Sequence, residues 1–296
     1  MSLVEPPLVR LGNLFPDRRV YAKCEFLSPS GSFKTRGADH LLEQLRRRGP
    51  LPTLVVPSMG NTALGAAVAA KAFGARMVGV VPTTISRAKD ERLHALGVEL
   101  VKIAGGGTDV LQAATRMAEE RKGYFVHPHL DPLWTDAYGE ITAEVLRDLP
   151  DCRSLVFPLG GGGLLMGLTA WLASRPHQMK LTGCEAYNHP KYAAFTHPRA
   201  PTIADGLILE VPHPPVQRRI AETGVDVQMV REEEIRAALA ALFQTQGLVV
   251  EPSSAITTAF VQTHGGELGE PVCVVLTGEN ITREDFRRLI ESSPAT

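Results

Sequence analysis

A lysine just after a Pro/Ser/Gly turn, at the opening of a helix-like segment, is the residue of this chain best set for chemistry. It is Lys34, in the run from Ser28 to Ala38 that reads Ser-Pro-Ser-Gly-Ser-Phe-Lys-Thr-Arg-Gly-Ala. An ammonium among the N–H groups of a helix start is opposed by the macrodipole, which lowers its pKa and makes a desolvated amine a better nucleophile. The bland alternative is an exposed lysine in a capped first turn, and the motif by itself leaves the two even. Three other loops sit at the C-terminal ends of expected parallel strands, where open α/β sheets place ligands. Ser58-Met59-Gly60-Asn61 leads into an Ala-rich helix; its glycine lets the backbone approach a ligand, and the helix start offers N–H groups to a carboxylate-sized anion. Gly160-Gly161-Gly162-Gly163 joins a strand ending at Pro158 to a helix beginning at Leu164. Four successive glycines carry an entropic cost of roughly 0.5–1 kcal/mol each, and side-chain-free N–H groups at a helix start make a phosphate cradle. Neither the Gly-Lys-Ser/Thr of a nucleotide loop nor a spaced Gly-x-Gly-x-x-Gly is present. Thr277-Gly278-Glu279-Asn280 follows the apolar strand Val272 to Leu276 and offers a ring nitrogen one hydrogen bond from an uncharged hydroxyl. Singly, the Ser58 and Thr277 loops are ordinary turns. Together the four stretches describe a site for a phosphorylated aldehyde cofactor and an amino acid.

The elements that must position these groups alternate. Strands are expected at Pro7 to Leu11 and Val20 to Leu27, a helix from Phe33 to Arg48, a strand at Leu54 to Val56 and a helix from Thr62 to Phe73. Strands at Met77 to Val81, Glu99 to Ile103 and Tyr124 to Val126 then alternate with helices at Arg87 to Leu96 and Thr108 to Arg121. A second run has helices at Tyr138 to Leu149 and Leu164 to Ser174 and strands at Ser154 to Phe157 and Leu181 to Cys184. Tyr187 to Pro215, rich in Pro and His, reads as irregular; helices resume at Glu232 to Gln246 and Ser254 to Thr263, with a strand at Val272 to Leu276 and a last helix from about Thr282. This is an α/β pattern of two open, mainly parallel twisted sheets with helices on both faces and an active site in the cleft between two domains. The expected division is 1–47 with 132–296 as the larger domain and 48–131 as the smaller.

Lys plus Arg number 31 against 32 Asp plus Glu, a net charge of −1, so no electrostatic ground exists for a nucleic-acid or membrane partner. No apolar run is long enough to cross a bilayer and no N-terminal signal pattern stands out, so the expected location is the cytoplasm. Cys24, Cys152, Cys184 and Cys273 are scattered in apolar stretches and read as buried free thiols. His127-Pro128-His129 reads as structural, and no metal is expected.

On four motifs in order, the chain resembles the fold type II pyridoxal-phosphate (PLP) enzymes, the tryptophan synthase β family, over essentially its whole length. They are Ser30 to Ala38, Ser58 to Asn61, Gly160 to Gly163 with Leu164, and Thr277 to Asn280. The resemblance implies that Lys34 forms the Schiff base with PLP and moves the substrate Cα proton, with Phe33 beside the cofactor. Asn61 would meet the pyridine 3′-oxygen; Ser58 with the Gly60 and Asn61 backbone would hold the substrate carboxylate. Gly160, Gly161, Gly162, Gly163 and Leu164 would take the phosphate, and Thr277 the pyridine nitrogen. A neutral hydroxyl there goes with elimination or replacement at Cβ in this family.

Phe33 to Ala38, Thr202 to Leu207 and Val250 to Ala255 resemble the threonine/serine dehydratase and serine racemase branch, whereas Thr62 after Asn61 resembles the synthases. Met59 stands where these enzymes usually carry a Ser on the face opposite the lysine, and a thioether moves no proton at neutral pH; racemisation is therefore not expected. Ala137-Tyr138-Gly139 replaces a Gly-Gln-Gly of the dehydratases, so Tyr138 would enlarge, block or re-polarise the substrate pocket. Met59, Thr62 and Tyr138 thus join the substrate-binding candidates. Glu185 matches the first acidic residue of a divalent-cation site of that branch, but Lys191 replaces the later acidic ligand. With only a short run after Asn280, no appended regulatory domain is expected. The resemblance implies a PLP-dependent β-elimination of a hydroxy amino acid to a keto acid and ammonia, acting as a homodimer. Alternatives are β-replacement and, behind it, an inactive PLP-binding homologue.

Overall fold

The computed structural model describes residues 5–58, 60–85, 87–175 and 177–291. The chain opens with β1 (Leu8–Arg10), β2 (Val20–Lys23) and α1 (Lys34–Arg48), then runs β3 (Leu54–Pro57), α2 (Asn61–Phe73), β4 (Met77–Pro82), α3 (Arg87–Ala95), β5 (Glu99–Ile103), α4 (Gly107–Glu120) and β6 (Tyr124–Phe125). After α5 (Pro132–Thr135) and α6 (Gly139–Asp148) come β7 (Ser154–Pro158), α7 (Gly163–Ala173), β8 (Lys180–Ala186), α8 (Pro214–Thr223), β9 (Asp226–Val230), α9 (Glu232–Gln246), α10 (Pro252–His264), β10 (Val272–Val275) and α11 (Arg283–Glu291). Among the described residues no helix is long and apolar enough to cross a membrane.

Two compact units result. One is built around 28–138 and the other joins 5–27 to 139 onward. This differs from the expected division in placing 28–47 and 132–138 with the smaller sheet. The physical reason is packing: α1 lies against α2 and α5, burying Leu41, Leu42 and Leu45.

The first unit carries a fully parallel sheet in the order β5-β4-β3-β6. Its central strands are apolar on both faces, as a covered parallel sheet requires; Leu54, Val55, Val56, Val78 and Val80 are buried, with α4 closing part of this core. The second unit carries β1-β2-β10-β7-β8-β9, parallel except for the β1–β2 pair. Helix α10 lies in its core, buried at every position from Pro252 to Val261, and packs on α9, β7 and β8. Three elements lie where no regular structure was expected, α5, α8 and β9; residues 25–27, expected as strand, form a short 3-10 turn instead.

All four cysteines are free and buried. Burial pushes the Cys24 and Cys152 thiols up to about 12 and those of Cys184 and Cys273 well above their ordinary value. A thiol-disulfide reagent at neutral pH is therefore expected to label no cysteine in the native protein and all of them on unfolding; fast native labelling would contradict the buried placement.

Candidate active site

In the first unit, the turn 28–33 aims α1. Gly31 N–H donates to the Ser28 carbonyl at 2.7 Å, and Thr35 Oγ1 donates to Ser30 Oγ at 2.6 Å, folding the loop over the helix start. Lys34 is the first residue of α1, and its Nζ stands 4.7 Å from the Phe33 ring centroid and 5.8 Å from that of Tyr138. The two rings pack at 4.7 Å; Tyr138 is fully buried, and its hydroxyl accepts from Trp134 Nε1 at 2.6 Å. Phe33, Lys34 and Tyr138 are therefore brought together. The backbone of Lys34 is set by α2: a Cβ on Gly65 would meet Lys34 Cβ at 2.8 Å and its carbonyl carbon at 2.9 Å, so only glycine lets α2 cross this closely.

That same helix begins at the second expected loop. Ser58 Oγ accepts from the N–H groups of Gly60 and Ala63, both at 3.1 Å, so a hydroxyl oxygen stands in the position that suits a ligand oxygen anion. Asn61 is the first helical residue rather than the cap, which is Gly60, and Thr62 is buried in the first turn. Met59 lies outside the described residues. One neighbour was not foreseen. Lys89 of α3 brings its Nζ to 3.6 Å from where a Cβ on Gly60 would stand. Nothing in the periodicity of 87–96 marks that lysine, because the approach of α3 to the α2 start is a tertiary fact.

His127 is structural: its Nδ1 faces the N–H groups of His129 and Leu130 at 3.3 and 3.2 Å, closing the turn after β6. Among the described residues no group of His, Cys, Asp and Glu is placed to hold a metal ion.

In the second unit, Gly160 to Gly163 and Leu164 join β7 to the N-terminus of α7. Gly162 has φ 90°, a left-handed conformation, and a Cβ there would fall 2.5 Å from both methyls of Val216 in α8. Gly160 lies beside Gly206 and Leu207, and Gly206 N–H donates to Ser253 Oγ at 3.0 Å. Thr277, buried, follows β10, the parallel neighbour of β7, so it stands on the same sheet edge as the glycine run. Its loop is tied to the start of α10, with Glu251 N–H donating to the Gly278 carbonyl at 3.0 Å and Gly278 N–H to Ser254 Oγ at 3.4 Å. The segments 202–207, 250–255 and 277–280 thus brace one another around the glycine run. A cradle free of side chains at a helix start suits a phosphate, and Thr277 brings no charge to a ring nitrogen.

The family model "Pyridoxal-phosphate dependent enzyme" matches residues 3–278. L-threonine ammonia-lyase of Thermotoga maritima is 33% identical over 282 residues, 92% of this chain and 69% of that protein. Serine racemase of Homo sapiens is 29% identical over 287 residues, 91% of this chain and 83% of that protein. Of solved structures, a serine racemase from Dictyostelium discoideum matches in fold, with a TM-score of 0.83 at 24% identity over 95% of this chain and 94% of its own. A processed threonine deaminase isoform 2 of Solanum lycopersicum also matches in fold, with a TM-score of 0.86 at 23% identity over 98% of this chain and 88% of its own. With a family match that takes in the lysine turn, the Ser58 loop, the glycine run and Thr277, the chain belongs to the pyridoxal-phosphate-dependent enzymes, and PLP is its cofactor.

Proposed function

We propose that this chain is a PLP-dependent ammonia-lyase that removes the β-hydroxyl of threonine or serine and yields a keto acid and ammonia. The observation that carries the reading is the placement of Lys34 at the start of α1, faced by two aromatic rings and pinned at its backbone by Gly65. The threonine ammonia-lyase relatives support the substrate class. PLP, when bound, supplies an electron sink for the carbanion left at the substrate Cα.

The remaining chemistry belongs to the chain. Lys34 would hold the cofactor through its amine, and that same amine, once free, would take the substrate Cα proton. Phe33 and Tyr138 keep water from that amine; the phenol of Tyr138 is turned to Trp134. Ser58, Gly60 and the first turn of α2 with Asn61 and Thr62 hold the substrate carboxylate, and Asn61 also serves the ring oxygen. Gly160 to Gly163 and Leu164 hold the phosphate, and Thr277 offers its hydroxyl to the ring nitrogen without fixing a proton there. In balance, the Cα proton and the β-hydroxyl leave as water, and water returns to release ammonia.

Lys89 adds a positive charge beside the carboxylate loop. Lys89→Ala is expected to raise KM for the amino acid about tenfold with kcat little changed, the pattern of lost ground-state binding. An unaltered KM would remove Lys89 from the site.

The direct test is keto-acid release from L-threonine and L-serine by the PLP-loaded protein with no added nucleophile. A second reading, β-replacement, is favoured by Thr62, and formation of a new amino acid from O-acetylserine only when a nucleophile is added would establish it. Absence of both reactions in a protein that binds PLP would mark an inactive homologue. We infer from the family that the enzyme is a cytoplasmic homodimer; light scattering tests the stoichiometry.

A further inference from the structure

Strand β8 lies inside the larger sheet, between β7 and β9, and near its C-terminal end carries Glu185, whose side chain is fully buried. The carboxylate accepts backbone N–H groups from Lys191 at 3.0 Å, Tyr192 at 3.1 Å and Ala193 at 3.1 Å. The Lys191 ammonium, equally buried, stands 3.5 Å from Glu185 Oε1 and 3.5 Å from the His189 carbonyl oxygen. Burial pulls the Lys191 amine below its ordinary pKa, opposed by the Glu185 charge. The segment 187–193 is thereby wrapped around one carboxylate.

A carboxylate and a main-chain carbonyl are the donors that a hard divalent cation takes. The dehydratase and racemase branch that the chain resembles has such a cation site beginning at the position of Glu185. It does not fit here. The space between the two oxygens is filled by an ammonium, the carboxylate already accepts three N–H groups, and a dication beside a buried lysine would meet strong like-charge repulsion. We propose that the Lys191 ammonium is a tethered replacement for the divalent cation, so that this enzyme neither binds nor requires one.

The clamp has a route to the cofactor loop. Tyr192 Oη accepts from His213 N–H at 3.3 Å and His189 Nε2 meets the Leu209 carbonyl at 3.3 Å, so the wrapped segment holds 205–216 in place. Leu207 and Val216 of that stretch back Gly160 and Gly162. Lys191 is accordingly a positioning residue for the phosphate seat.

The test uses the PLP-loaded enzyme. Wild type is expected to show no bound Mn²⁺ by electron paramagnetic resonance, and no change in thermal midpoint or PLP affinity between EDTA and millimolar Mg²⁺ or Ca²⁺. Lys191→Asp is expected to lose about 10 °C of thermal midpoint in EDTA, to bind one Mn²⁺ per chain, and to recover midpoint and PLP affinity with Ca²⁺. Lys191→Met should show the loss without recovery by any cation. Stoichiometric Mn²⁺ binding or EDTA sensitivity in wild type overturns the proposal even if no variant folds, and so does a Lys191→Asp protein that binds no cation. Activity enters only through the lyase reading; midpoint, Mn²⁺ and PLP binding are read without substrate, so failure of that reading is distinguishable from failure of this one.

Discussion

Lys34→Ala is expected to abolish the covalent attachment of PLP and to lower keto-acid formation by roughly two to four orders of magnitude, the range lost with a positioned acid–base group. Loss of the covalent nucleophile adds to that deficit. The fold should survive, because Lys34 is only half-buried at the first position of α1 and the helix is held by Leu41, Leu42 and Leu45. Borohydride treatment of wild type followed by proteolysis should fix the cofactor to the peptide containing Lys34. A variant that keeps the visible absorption band, or cofactor fixed to another lysine, would defeat the assignment of Lys34.

Gly162→Ala should act through the phosphate seat instead. At φ 90° a side chain carries left-handed strain of about 1–2 kcal/mol, and the new Cβ would overlap both methyls of Val216. Val216 is fully buried and β-branched, so rotation offers little relief; overpacking of this kind adds about 1–3 kcal/mol. If the loop shifts to escape, its N–H groups leave the phosphate, and the PLP dissociation constant is expected to rise at least about tenfold. Combining Gly162→Ala with Val216→Ala removes the overlap but not the dihedral strain, and should recover part of the affinity. Wild-type PLP affinity in Gly162→Ala would show that the phosphate sits elsewhere.

Much of this site was legible in the residues because strand, loop and helix each carry a local signature. The glycine run, the turn before Lys34 and the Thr-Gly after Leu276 all fall where expected, within a residue or two of the observed element ends. The parts that were missed lack such signatures. Helix α8 begins with two prolines and its apolar stripe is only Val216 with Ile220 one turn on, too short to stand out beside the irregular stretch before it; β9 is a half-exposed edge strand whose pattern is weak. The grouping of α1 with the first unit, and Lys89 beside Gly60, depend on which helix packs on which. Lys191 was visible as a departure from an acidic pattern, but that its ammonium takes a carboxylate and a carbonyl oxygen is a matter of three-dimensional closure.

The pairing of β2 with β10 has a consequence for synthesis. Residues 28–138 form a unit from one continuous stretch, with its strands joined by short βα links, and can close as soon as that stretch has left the ribosome. Strand β2 is made before it, yet its parallel partner is β10, which follows every other strand of the described residues, with Val20 opposite Val272 and Lys23 opposite Val275. The first apolar strand segment must therefore wait, half-paired with β1, until β10 has been translated. Exposed sheet edges of that kind are where nascent chains aggregate, and chaperone dependence in this protein should concentrate on residues 8–27.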